Sequence, residues 1–113
     1  MTRQEIFTTV KNHLLKQGAK SLDSHGKCAY RGVNGAMCAV GVLIKNEFYE
    51  PTIEGWPVDD LGVCAALRKS GIDVAENSFL LSKLQEIHDF QDVKKWKSKL
   101  GKLAEHYGLA FYT

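Results

Sequence analysis

Residues 37–44, MCAVGVLI, constrain this chain more than any other stretch. They carry no charge. A glycine turn precedes them, and Pro51, Gly55 and Pro57 interrupt the chain beyond them. A short apolar run of this kind is ambiguous between strand and helix. Val40, Val42 and Ile44 favour a strand, whereas Ala36, Met37, Ala39 and Leu43 favour a helix. The small residues Ala39 and Gly41 permit close backbone approach, so the sequence predicts a short buried helix at the centre of the molecule.

The surrounding elements are set by period and punctuation. Thr2 and Glu5 form a capping box, T-R-Q-E, and Ile6, Phe7, Val10 and Leu14 recur at helical spacing before Gly18. The first helix is therefore expected over residues 2–17, with His13 at the edge of its apolar stripe. Asp23-Ser24-His25-Gly26 is a turn cluster between residues 20–22 and 28–31, which predicts a small β-hairpin packed on helices. Val33-Asn34-Gly35 reads as a second turn. Residues 45–58 are expected to form an ordered loop whose Phe48, Tyr49, Ile53 and Trp56 cover the core. A third helix starts after Asp59 or Asp60 and runs to about Ser70, with Leu61, Cys64, Ala65 and Leu67 inward. Asn77 or Ser78 starts a fourth, with Leu80, Leu81, Leu84, Ile87 and His88 in period. Asp92 caps a fifth, whose inner face is Val93, Trp96, Leu100, Leu103, Ala104 and Tyr107. Gly108 and Leu109 match a Schellman end, and the apolar tail 110–113 is expected to dock. The fold class expected is mainly α (α+β): one domain of about five helices around the short buried central helix, with one small β-hairpin.

Composition bounds what such a domain can be. The chain has 113 residues, enough to bury roughly two thirds of its unfolded surface in a core without staples. A hydrophobic fraction of 44% and a charged fraction of 25% belong to a globular chain. The net charge of +2 is too small by itself to imply nucleic acid or an acidic membrane. No apolar run reaches the about 18 residues that span a bilayer, and no basic-then-apolar leader opens the sequence. Three cysteines at uneven spacing fit no disulfide framework, so reduced thiols and a cytoplasmic location are expected.

Four constellations could carry function. Cys38 follows a glycine turn and opens the apolar run, where a helix N-terminus would lower a thiol pKa. With His88, and Asp89 beside it, Cys38 could serve a cysteine-dependent hydrolase or transferase. The adjacent positions of His88 and Asp89 on one helix argue against a triad, and cysteine in an apolar run behaves as a small hydrophobe. Cys28, Cys38, Cys64, His25 and His88 could donate to zinc, but they lack the paired spacing of structural sites, so neither metal nor cofactor is expected. Lys94, Lys95, Lys97, Lys99 and Lys102, with basic residues of the first helix, could contact phosphates; they read more readily as a solvated helix face. Tyr30, Arg31, Phe48, Tyr49 and Trp56 are of the types that anchor protein interfaces, and equally of the types that form a lid. Phosphate loops, dinucleotide fingerprints, nucleophile elbows and H-E-x-x-H are absent.

Several stretches together carry a resemblance. They are G-K-C-A-Y-R-G, then N-G-x-x-C-A-V-G-V-L-I, F-Y-E-P-x-I-E-G, L-x-x-L-Q-x-I-H-D, and a tryptophan-bearing helix closing L-A-E-H-Y-G-L. The chain resembles a group of small, largely uncharacterised proteins of tailed bacteriophages and prophages. The resemblance implies a phage-encoded accessory protein, in the host cytoplasm, that acts without catalysis by binding a host protein in host takeover or counter-defence. Gln85, His88 and Asp89 fall in the shared stretch, as either a surface or a set of bonds fixing a helix junction.

Overall fold

The computed structural model describes residues 1–112. Four α-helices carry the fold: α1 (Arg3–Gln17), α2 (Leu61–Lys69), α3 (Val74–Phe90) and α4 (Trp96–Tyr107). Helices α1, α3 and α4 pack on one another, and α2 leans on α3. Ile6, Phe7, Val10 and Leu14 of α1 meet Leu80, Leu81 and Leu84 of α3 and Trp96, Leu100 and Ala104 of α4 in one core. The helix ends follow their caps. Thr2 and Glu5 form the capping box, Asp60 caps α2, and α4 ends on Gly108 in the left-handed region with the Leu109 N–H on the Ala104 carbonyl. Residues 110–112 dock on α1: Gln4 brackets Ala110, the Phe111 ring meets Phe7 at 6.1 Å, and Lys11 Nζ donates to the Tyr112 carbonyl. Thr113 lies outside the described residues.

Several expectations are corrected. Among the described residues the α-helices number four, and no α-helix forms over residues 37–44. That segment is a turn followed by a 3₁₀ turn, Gly41–Leu43, although its side chains Cys38, Ala39, Val40, Leu43 and Ile44 are buried as expected. The physical reason is that side chains supply its backbone bonds. Gln17 accepts from the Met37 N–H and donates to the Met37 carbonyl, His13 Nε2 meets the same carbonyl, and Gln85 accepts from the Val40 N–H. Gly41 lies against Tyr30: a Cβ there would sit 2.1 Å from the Tyr30 carbonyl oxygen. The small residue thus serves close approach without the helix.

The hairpin reduces to a single antiparallel bridge, Leu22 with Cys28. Its turn does form, because the Asp23 carboxylate accepts from the N–H groups of His25 and Lys27. The first arm does not extend into a strand because Ser21, at its middle, is held by α3. A second bridge, Arg31 with Met37, closes over the turn Val33–Gly35, where Asn34 takes φ 59°. Helix α3 starts three residues before Asn77, since Asp73 accepts from the Glu76 N–H as its cap. Asp92 precedes the 3₁₀ turn Val93–Lys95, and the last α-helix begins only at Trp96. Two more 3₁₀ turns, Asn46–Phe48 and Pro51–Ile53, make up the loop that lies over the core.

Candidate functional site

The C-terminal turns of α3 hold the irregular chain in place. Gln85, His88 and Asp89 lie at neighbouring helical positions, and their side chains are linked. Asp89 Oδ1 accepts from His88 Nδ1 at 2.7 Å and from Gln85 Nε2 at 2.9 Å. His88 Nε2 accepts from the Ser21 N–H at 2.9 Å, and Gln85 Oε1 accepts from the Val40 N–H at 3.0 Å. Lys20 Nζ adds a bond to the Asp89 carbonyl. The His88 ring is fully buried and stacks on Trp96 with centroids 5.5 Å apart. One side-chain network therefore pins residues 20–21 and residue 40 to α3. Asp89 does orient His88, contrary to the expectation from sequence. The bonds are internal, and they tie α3 to residues 20–21 and 40 rather than to the helix that follows it.

Cys28, His88 and Asp89 bring one sulfur, one ring nitrogen and one carboxylate oxygen within 4.8 Å of one another. The trio invites a metal or a thiol mechanism, and the hydrogen bonds oppose both. Because Nε2 accepts from a backbone N–H, the ring proton sits on Nδ1, where it faces Asp89. No ring lone pair remains for a metal or for the proton of a thiol. Cys28 is exposed, and partial burial followed by the negative charge and hydrogen bond of Asp89 push its thiol up from the ordinary range. An activated cysteine needs the opposite shift.

Cys38 is a different matter. Its side chain is fully buried, its sulfur accepts from the Gly41 N–H at 3.3 Å, and burial pushes the thiol up to about 12. A helix N-terminus does not lie behind it. The proposed pairing of Cys38 with His88 as nucleophile and base is therefore corrected: the sulfur is sealed and the imidazole is committed to Ser21 and Asp89. All three cysteines are free.

The interface residues divide. Tyr30 is buried and donates its hydroxyl to the Trp56 carbonyl at 2.6 Å. Arg31 lies over the Tyr49 ring at 4.9 Å and donates to the carbonyl of Ile44. The Glu54 carboxylate accepts from the N–H groups of Tyr30 and Arg31 and from the Tyr49 hydroxyl, and burial followed by Glu54 pushes that phenol up to about 12. Phe48 is half-buried in its 3₁₀ turn. Tyr30, Arg31 and Tyr49 fasten the lid to the core, and among the five Trp56, at 59%, is the exposed one.

Trp56 forms one lip of a cleft of about 500 Å³. Phe90, 78% exposed, also borders it, and so do Asp59, Glu86 and Asp89. On the other side of Phe90 runs a groove of about 430 Å³ between α3 and α4, lined by Phe79, Lys83, Ile87, Lys99, Lys102, Leu103 and His106 among others. The five lysines do not share one face. Lys99 and Lys102 line this groove and Lys97 does not, since two residues of helix turn the side chain by about 200°. Lys94 and Lys95 sit in the preceding 3₁₀ turn.

Phe79 and Phe90 do not stand out in the sequence, although a signal exists. They are eleven apart, which returns to the same side of a helix, off the Leu80–Leu81–Leu84–Ile87 stripe. Searches against protein-family models, curated proteins and solved structures return no match to this chain, so the phage resemblance rests on its motifs alone. Among the described residues, no helix is long and apolar enough to cross a membrane.

Proposed function

We propose that this chain is a binding protein that recognises another protein and performs no chemistry of its own. The observation that carries the reading is the cleft bordered by Trp56 and Phe90, both mostly exposed, and by three carboxylates. Exposed large aromatics cost solubility and add little to a fold, whereas they are the residues that anchor interfaces. A partner that inserts a lysine or arginine side chain between the two rings would meet both cation–π attraction and Asp59, Glu86 and Asp89. The motif resemblance points to a bacterial host protein as that partner, in host takeover or counter-defence. The sealed Cys38 and the committed His88 remove the support that a cysteine enzyme would need.

The test is a comparative capture. Immobilised protein is exposed to lysates of several bacterial hosts, beside a Trp56→Ala/Asp59→Lys variant with an unchanged circular dichroism spectrum. A host protein held by the parent and lost from the variant supports the reading. Equal recovery on both, or nothing above background on either, overturns it.

A further inference from the structure

We infer that the α3–α4 groove docks an acidic amphipathic helix of a partner protein. It goes beyond the reading above: the groove shares Glu86 and Phe90 with the cleft, while Phe79, Lys83, Lys99 and Lys102 belong to the groove alone. On α3, Phe79, Lys83, Glu86 and Phe90 fall on one line, four and three residues apart, and this line forms one wall. On α4, Lys99, Lys102 and His106 form the other, with Ile87 and Leu103 between them. Phe79 is 56% exposed, with Lys83 over its ring at 5.2 Å and Tyr107 and His106 each at 6.4 Å. The groove therefore has an apolar length and a cationic rim.

Charge decides the occupant. Glu86 is the one carboxylate along the groove, and Lys83 already pairs with it at 3.2 Å. Among the described residues, Lys99 and Lys102 have no carboxylate within salt-bridge distance. From Phe79 to Phe90 the groove runs roughly 16 Å, the rise of eleven helical residues. A helix of about three turns spans that length, with apolar residues at i, i+4 and i+7 on the floor and Asp or Glu along the flanks. A nucleic acid fits less well. The lysines sit astride an apolar floor, Lys97 faces elsewhere, and the net charge is only +2. A second copy of this chain also fits less well. The exposed apolar stripe on α3 is the groove's own and brings one carboxylate with it.

The experiment uses the whole chain and a fluorescent helical peptide of about three turns, with leucines on one face and glutamates flanking them. Its counterpart carries lysine at each glutamate. Anisotropy is expected to show saturable binding of the acidic peptide and none of the basic one. The variant Lys99→Glu/Lys102→Glu is expected to weaken the acidic peptide by at least about tenfold and to gain the basic peptide, an exchange that misfolding cannot produce. Trp56→Ala/Asp59→Lys leaves peptide binding unchanged, which separates this groove from the cleft. Three results overturn the inference. One is equal binding of both peptides. Another is duplex DNA binding that falls steeply with salt, with no peptide preference. The third is a dimer in sedimentation that the lysine variant abolishes, which would make a second copy the occupant.

Discussion

Helix α3 shows opposite chemistry on two of its sides. Toward the molecule it places Gln85, His88 and Asp89, all polar and all bonded to one another or to the backbone of residues 21 and 40. Toward solvent it places Phe79 and Phe90, which are mostly exposed. Polar groups bonded in this way serve the fold, and of the three Asp89 alone also offers a partly exposed carboxylate edge to the cleft. Apolar groups outside with no cover are available for something else. Function can reside where the exposed aromatics are: His88 and Gln85, the residue types that suggest chemistry, are tied into the fold, and the open sites are built around Trp56, Phe79 and Phe90.

The strongest way to break that contrast is His88→Ala. The substitution empties a fully buried ring position against Trp96 and leaves the Ser21 N–H without its acceptor. A loss of about 3–5 kcal/mol is expected from the cavity and the orphaned donor together. Urea denaturation monitored by tryptophan fluorescence measures it. A change under about 1 kcal/mol would mean that His88 is not holding the irregular segment, and the ring would regain standing as a functional group.

Much of the frame is legible in the sequence because it is local. The T-R-Q-E box, the stripe Leu80–Leu81–Leu84–Ile87 and the Gly108–Leu109 end each depend on residues within two turns of one another. Residues 37–44 are legible as buried and not as to shape. Their conformation is set by Gln17, Gln85 and Tyr30, and no local propensity encodes such distant partners. The hairpin fails for the same reason. Asp23 makes its turn locally, but Ser21 is drawn to His88, sixty-seven residues away. Part of the candidate site is legible in Trp56. Phe79 and Phe90 are hidden by the clearer apolar stripe beside them.

Asp89 permits a finer test of the inner side. Partial burial and then its charge raise the Cys28 thiol, so thiolate at Cys28 is scarce at neutral pH and grows about tenfold per pH unit until the thiol's own range is reached. Asp89→Asn keeps an oxygen for His88 and removes the charge. The thiol then titrates at lower pH, and alkylation of Cys28 by iodoacetamide near pH 7.5 is expected to speed up about several-fold, with Cys38 protected in both proteins because it is buried. Mass spectrometry of timed samples reads both sites at once. A slower rate in the variant would show that Asp89 activates Cys28, and the polar network would have to be read as a thiol site after all.

The smallest expected effect belongs to the outer side. Phe90→Ser removes a ring that is 78% exposed and so returns little buried area to water. At about 25 cal/mol per Å² of apolar surface, a side chain that is already wet has little to lose, and the stability change is expected within about 0.5 kcal/mol in either direction. The same denaturation experiment as for His88→Ala checks it, which places the two sides of α3 on one scale. Near-neutrality matters because it removes folding as the reason for a phenylalanine between the acidic cleft and the basic groove. A loss of about 2 kcal/mol or more, on the scale of a buried side chain, would instead place Phe90 in the core's service and leave Trp56, Lys99 and Lys102 to carry recognition without it.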